Sequence, residues 1–170
     1  MVEEGEGNGR SRAIVENSLD VKTSELESEV SAFAVGRTVT FSKTVGECDV
    51  YLFAGLSGDL SPSHVNEAYM RSTRYGHRIA HGALVLAFMS TAASKMLEGA
   101  GNVAAVSYGY DHVRFVAPVF IGDTIRIMYK VQEWDEKRRE FRAEVTASNE
   151  AGDVVAVAVH IMRVLPASGS

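Results

Sequence analysis

The apolar positions of this chain begin late and change period twice. Residues 1–23 are polar, acidic and glycine-bearing, carry no apolar repeat, and read as a flexible extension. A weakly helical stretch is expected around Ser24–Val35, and Thr38–Phe41 reads as a first short strand. Thr44-Val-Gly-Glu47 has the form of a capping box, in which hydroxyl and carboxylate satisfy helix N-terminal amides reciprocally. Val50, Phe53 and Ala54 follow at helical spacing, predicting a short amphipathic helix that runs into the turn Gly55-Leu-Ser-Gly58. Ser61-Pro62 opens a second helix, with Ser as N-cap and Pro at the first helical position.

Ala80–Leu97 has no breaker after Gly82, and Ala83–Met89 is apolar in every direction around a helix. Such a helix is buried on nearly all sides, and in a chain this small only a curved sheet could wrap it. The last third supplies that sheet. Val103–Phe115, Thr124–Trp134, Glu140–Ser148 and Val154–Val164 are rich in β-branched and aromatic residues, punctuated by Gly122-Asp123, Glu136–Arg139 and Asn149–Asp153. Phe141, Ala143, Val145 and Ala147 alternate with polar residues, marking one wet face, whereas Val154–Val159 is apolar on both faces and reads as an interior strand. One buried helix followed by an antiparallel meander is an α+β pattern. The doubly apolar strand also leaves surface needing cover, so a homodimer is expected. The domain reading is an acidic extension over 1–30 and one domain over 31–166.

Composition narrows the classes. The 170 residues are 46% hydrophobic and 23% charged, ordinary for a soluble globular chain. No run approaches a membrane span, and residues 1–30 contain no apolar run of signal-peptide type. Cys48 is the single cysteine, which fits a reducing compartment; a cytoplasmic location is expected. The net charge of −5 lies wholly in residues 1–30, which hold eight acids and three bases. The remainder balances and offers no basic face for nucleic acid.

Candidate chemistry lies in two segments. In Gly58-Asp59-Leu-Ser-Pro-Ser-His64 the bend before Pro62 could let Asp59 and His64 converge on one point, although on a continuous helix they would point roughly 140° apart. A carboxylate and an imidazole sharing one water form an acid/base pair near neutral pH; the same residues also fit an ordinary turn followed by a surface histidine. His81-Gly82 opens the buried helix, whose first amides are unshared and partly positive, so a carbonyl oxygen docked at Gly82 would be polarised. The alternative is that Gly82 only permits close packing. His77 and His81 are four apart, but no Asp, Glu or Cys lies close in that segment, so no metal is expected. Arg71, Arg74 and Arg78 could meet phosphates or form the solvated side of a helix and loop; His81 and Arg78 are carried as substrate-contact candidates. Tyr108, Tyr110, Phe115 and Phe120 are assigned to core or interface, and Met89 and Met96 to gap-filling.

Three ordered blocks together resemble the MaoC-like, (R)-specific enoyl-CoA hydratase family. Ser57-Gly-Asp59-Leu-Ser-Pro-Ser-His64 resembles its Ser-Gly-Asp-x-Asn-Pro-x-His motif, and Ile79-Ala-His81-Gly82 its helix-opening segment. Phe115-Val-Ala-Pro118-Val119-Phe-Ile-Gly122-Asp123 resembles its Phe-x-x-Pro-Val-x-x-Gly-Asp strand. The resemblance covers roughly Phe41 to Val164. It implies a hot-dog fold, usually dimeric, acting on an acyl-CoA thioester, with Asp59 and His64 as the catalytic dyad and Gly82 polarising the thioester. It also implies no cofactor beyond the coenzyme A of the substrate, and a supporting role for Ser90. Two departures stand out: Ser61 replaces the usual Asn, and Ser63 replaces a long aliphatic residue. A hot-dog thioesterase and a non-catalytic acyl-CoA-binding subunit share the fold and remain alternatives.

Overall fold

The computed structural model describes residues 31–101 and 103–166. The acidic extension and most of the helix expected from Ser24 lie outside them; residues 31–32 are helical. β1 (Thr38–Thr44) leads into helix α1 (Glu47–Ser57), then the short helices α2 (Pro62–Val65) and α3 (Glu67–Arg71), and then the 17-residue α4 (Gly82–Glu98). Four strands follow: β2 (Ala105–Phe115), β3 (Thr124–Asp135), β4 (Glu140–Ser148) and β5 (Val154–Val164). They form one antiparallel sheet in the order β1-β3-β4-β5-β2, packed around α4. This is the hot-dog arrangement; α2 starts at the Ser61-Pro62 signal, and α3 follows it as a separate short helix with Asn66 as its N-cap.

The core sits between α4 and the sheet. Leu84, Val85, Met89, Ala92, Ala93 and Met96 form the inner stripe of α4, with both methionines fully buried. Against them stand Ile125, Ile127, Tyr129 and Val131 of β3 and Ala143, Val145 and Ala147 of β4, which alternate with exposed or partly exposed neighbours. Burying one such side chain is worth about 1.5–3 kcal/mol. Phe33, stacked on Phe141 at 4.4 Å, closes one end of this layer.

Three expectations change in detail. The α1 N-cap is Gly46, not Thr44: the Asp49 carboxylate accepts the Gly46 N–H at 2.7 Å and pairs with Lys43, while the Thr44 hydroxyl bonds Thr124 across the strand pair. The Lys43 hydrogen bond in particular holds the Asp49 carboxyl below its usual value. Helix α4 is not covered all round, because Ala83, Ala87, Ser90 and Ser94 form an open stripe of small residues. β5 lies between β4 and β2, as its composition predicted, so both its edges are paired. Among the described residues, exposed apolar side chains include Val154 at the start of β5, Met128 of β3, the β2 edge and its exit (Val106, Tyr108, Phe115, Val116) and α1 and its exit (Leu52, Leu56, Leu60).

His160 of β5 is fully buried beneath α4. Its Nε2 meets the Ser107 hydroxyl at 2.8 Å and its Nδ1 the Tyr129 hydroxyl at 3.0 Å, while the Tyr110 ring stacks on it at 4.0 Å. Burial pushes its pKa down from 6.5 to about 4 and raises that of Tyr129. Folding therefore favours neutral His160. That contribution is complete above pH 6.5 and is lost as pH falls from 6.5 toward about 4. At about 1.4 kcal/mol per pH unit, the wild-type protein should lose roughly 2–3 kcal/mol more unfolding free energy between pH 7 and 4.5 than His160→Gln does. Urea titrations at the two pH values measure the difference, and equal losses in both proteins would show that His160 does not carry it.

Candidate active site

The α1–α2 connection brings the first pair of candidates together. Gly58 closes α1 in the left-handed region (φ 78°), its N–H bonded to the Ala54 carbonyl, and so turns the chain outward at Asp59. The Asp59 carboxylate accepts the Ser61 N–H at 3.2 Å, which sets the bend into Pro62. Ser61 occupies the N-cap position by its backbone alone; its hydroxyl faces Ser63 rather than a helix amide. His64, at the third position of α2, then points back toward the start of α4.

A backbone carbonyl sets its tautomer. His64 Nδ1 lies 2.7 Å from the Ile79 carbonyl oxygen, which can only accept, so Nδ1 carries the proton and Nε2 keeps the lone pair. His81, just before α4, is 2% exposed, and its Nε2 donates to the Asp59 carbonyl at 3.0 Å. Its Nδ1 is buried without a hydrogen-bond partner among the described residues. The two imidazoles stack with centroids 3.7 Å apart, and Phe53 packs on the His81 ring at 4.9 Å. One ligand atom each of Asp59, His64 and His81 lies within 4.8 Å of the other two. The convergence expected of Asp59 and His64 is present, and His81 joins them.

The carbonyl that holds His64 is itself held. Ile79 N–H bonds the Ser63 carbonyl at 3.1 Å, and Ala80 N–H bonds that of Val119 at 2.7 Å. One residue earlier, the Arg78 guanidinium reaches Glu47 at 2.6 Å, Tyr51 at 2.8 Å and Glu67 at 3.4 Å, with its side chain only 16% exposed. Glu67 also accepts from His77 Nδ1 and from the Arg78 backbone amide; with the His77 contact foremost, these bonds keep its carboxyl below the usual range. Arg78 is therefore committed to two carboxylates and a phenol within the chain, tying α1, α3 and the approach to α4 together. Its partners lie 31, 27 and 11 residues away, which is why no local motif disclosed the cluster.

Gly82 is the first residue of α4, where the amides have no intrahelical acceptor. His64 and Gly82 line one cavity of about 190 Å³, walled by Ile79, Val85, Phe115 and Pro118 among others. A side chain at position 82 would collide with the Phe115 ring, since a Cβ built there lies 2.6 Å from it. Gly82 thus both lines a cavity at the first turn of α4 and makes a close packing contact. Ser90 stands about 12 Å further along α4, at 1.5 Å per residue, on the open stripe. It lies near the Tyr110 hydroxyl, whose pKa burial raises and Ser90 partly lowers, and no hydrogen bond joins it to Asp59 or His64 among the described residues.

Residues 26–154 match the family model for the MaoC like domain. The chain is 44% identical over 90 residues to an (R)-specific enoyl-CoA hydratase of Rhodospirillum rubrum, an alignment covering 53% of this chain and 60% of that protein. It is 36% identical over 121 residues to a 3-hydroxybutyryl-CoA dehydratase of Methylorubrum extorquens, covering 71% of this chain and 73% of that protein. Among solved structures, the (R)-hydratase from A. caviae superposes with a TM-score of 0.70 at 26% identity, covering 78% of this chain and 96% of that one. The Pseudomonas aeruginosa R-hydratase PhaJ1 superposes at 0.67 and 29% identity, covering 80% and 88%.

Packing at Gly82 can be tested apart from chemistry. Gly82→Ala should lower stability by about 1–3 kcal/mol through overpacking on Phe115. Adding Phe115→Ala should recover part of that loss, read as a coupling energy in a double-mutant cycle by urea unfolding. Additive effects would show that the ring moves aside freely.

Proposed function

From the membership of this chain in the MaoC-like family, we propose that it is a hydro-lyase that adds water reversibly to a trans-2-enoyl-CoA, giving the (R)-3-hydroxyacyl-CoA. The observation that carries the reading is the fixed tautomer of His64. With Nδ1–H held by the Ile79 carbonyl, Nε2 is left as a base beside the Asp59 carboxylate, on a cavity that also exposes the start of α4. The hydratase and dehydratase names of the relatives support the same reaction class.

The thioester carbonyl is conjugated to the double bond, so the β-carbon is electrophilic. Asp59 and His64 hold the water between them. One of them takes a proton from the water as its oxygen bonds to the β-carbon, and that proton is then delivered to the α-carbon on the same face, so both groups return to their starting states. The negative charge that moves onto the thioester oxygen meets the Gly82 amide at the positive end of α4; a single such donor is worth about 3–4 kcal/mol where it has been removed. A cavity of about 190 Å³ suits a short acyl group, with the rest of the coenzyme outside it. Arg78, already neutralised within the chain, is not assigned to the phosphates.

Asp59→Asn and His64→Gln should each reduce turnover of crotonyl-CoA by about 10²–10⁴-fold. The double variant should be little worse than the worse single, because two groups on one water act as a unit. Loss of absorbance of the enoyl thioester follows the reaction, with product stereochemistry determined separately. Near wild-type turnover in both single variants would overturn the reading. Release of free thiol instead of hydration would establish a thioesterase, and substrate binding with no turnover a non-catalytic subunit.

The apolar side chains left open on β2 and α1, with the small-residue stripe of α4, further support a homodimer. Sedimentation at micromolar concentration should give twice the chain mass; a compact, fully active monomer would sink the dimer.

A further inference from the structure

We propose that His81 is a positioning residue for the hydration: this one buried side chain holds both groups that handle the water, by stacking on the His64 ring and bonding the Asp59 main chain. The role rests on the proposed assignment of Asp59 and His64 to that water. The His64 and His81 imidazoles lie face to face, with centroids 3.7 Å apart and 28° between their planes. The His81 Nε2–H donates to the Asp59 carbonyl at 3.0 Å, across 22 residues of chain, so no short sequence window shows the link.

Neither Asp59 nor His64 sits on an element able to hold it. Helix α2 is four residues long, and its N-cap makes no side-chain hydrogen bond. A helix this short has no stability of its own in water. The Asp59 turn is exposed, and its carboxylate takes one hydrogen bond, from Ser61 N–H at 3.2 Å. The Ile79 carbonyl fixes a single atom of the His64 ring, Nδ1, and a ring held at one atom can still tilt about it. A flat contact on the face of the ring removes that freedom.

His81 is suited to be the fixed reference. It is the N-cap of α4, its carbonyl accepts the Leu84 and Val85 amides at 3.1 and 3.2 Å, and it is 2% exposed. Phe53 packs on its ring at 4.9 Å. Whatever holds α4 against the sheet therefore holds His81, and through it the Asp59 turn and the plane of His64. The same residue precedes Gly82, so the acid/base pair is set relative to the helix start that lines the cavity. The remaining nitrogen, Nδ1, is buried with no hydrogen-bond partner among the described residues. An unmet buried nitrogen is destabilising, and a phenyl or aliphatic side chain would fill the space without it. Packing alone does not call for an imidazole here; a flat ring and an N–H in one small side chain do.

Substitution separates the two contacts. His81→Gln keeps an N–H at the reach of Nε2 but removes the ring, and His81→Phe keeps a ring but removes the N–H. Each should lower kcat on crotonyl-CoA by about 10–100-fold with KM changed less than about threefold, since a misplacement of about 1 Å costs rate on that scale. His81→Leu, which lacks both contacts, should fall below either. Urea unfolding of each variant distinguishes a merely structural role, in which stability falls and the kcat of the folded protein does not. In the parent, the ring current of His81 should move the His64 ring protons upfield in the NMR spectrum. That shift should survive in His81→Phe and vanish in His81→Gln, and the parent measurement decides where a variant fails to fold. Parent-like kcat in both single variants, or no upfield shift in the parent, overturns the role. A loss in both as large as that of His64→Gln also overturns it, by placing His81 among the groups that carry the proton. A parent that hydrates no enoyl thioester instead rejects the hydratase reading itself, and this role falls with it.

Discussion

The position at which α4 begins governs the rest of the site. Its inner stripe, from Leu84 to Met96, is locked against β1, β3 and β4, so the helix can neither rotate nor slide without opening the core. The hydrogen bond from Ala80 N–H to the Val119 carbonyl pins the entry to the β2–β3 connection. Once that entry is set, three things follow: Gly82 at the start of α4 lines the cavity, His81 is buried beside Asp59, and the Ile79 carbonyl lies where His64 must meet it. A helix shifted by one residue would turn its first amide by about 100° and lose all three.

The polar groups around this entry are oriented mainly by backbone rather than by other charges. His64 and His81 are both held through carbonyls, which orients the two rings without a carboxylate on either of those nitrogens. The charged groups stand one layer out. There Arg78 draws Glu47 and Glu67 onto one guanidinium, and Arg71 stands 3.8 Å from Glu67. An Asp–His pair beside a cavity keeps its acid/base capacity only if neighbouring charges do not dominate it. Segregating ion pairs to the rim and carbonyls to the site achieves that separation.

How far the residues disclose this arrangement depends on the range of the forces involved. Strand and helix placement followed from short periods: the even alternation of Phe141–Ala147 and the unbroken apolar run after Gly82 left few alternatives. The nearness of Asp59 to His64, and of Gly82 to the cavity that His64 lines, was expected from short, ordered blocks. The start of α1 was misplaced by two residues because Thr44 and Asp49 both offer capping chemistry, and the choice was made by Lys43, which draws Asp49 inward, and by Thr124, which occupies the Thr44 hydroxyl. The Arg78 cluster and the His160 network were illegible for a different reason. Their partners lie 11 to 53 residues apart and are brought together only by the tertiary fold. Arg78 on its own therefore looked like one more surface cation.

The open stripe of α4 shows what kind of departure the chain makes from its own pattern. Ala83–Met89 reads as a helix covered on all sides, yet the sheet of a single chain covers only the side bearing Leu84, Val85 and Met89. The uncovered positions are Ala83, Ala87, Ser90 and Ser94, residues small enough for another backbone or a ligand to approach closely. Large residues there would have filled a core; small ones leave a surface that is apolar but shallow. The exposed β2 edge cannot be extended as a simple flat strand, because register shifts at Ser107/Gly109 and Asp111/Arg114, with His112 at φ 54°, bend it. A partner that covers this side must follow the bend, and doing so brings it over Tyr110 and Ser90. Ser90 lies about 12 Å along α4 from Gly82 and beside the Tyr110 hydroxyl, so it belongs to this open stripe rather than to the helix start that lines the cavity with His64.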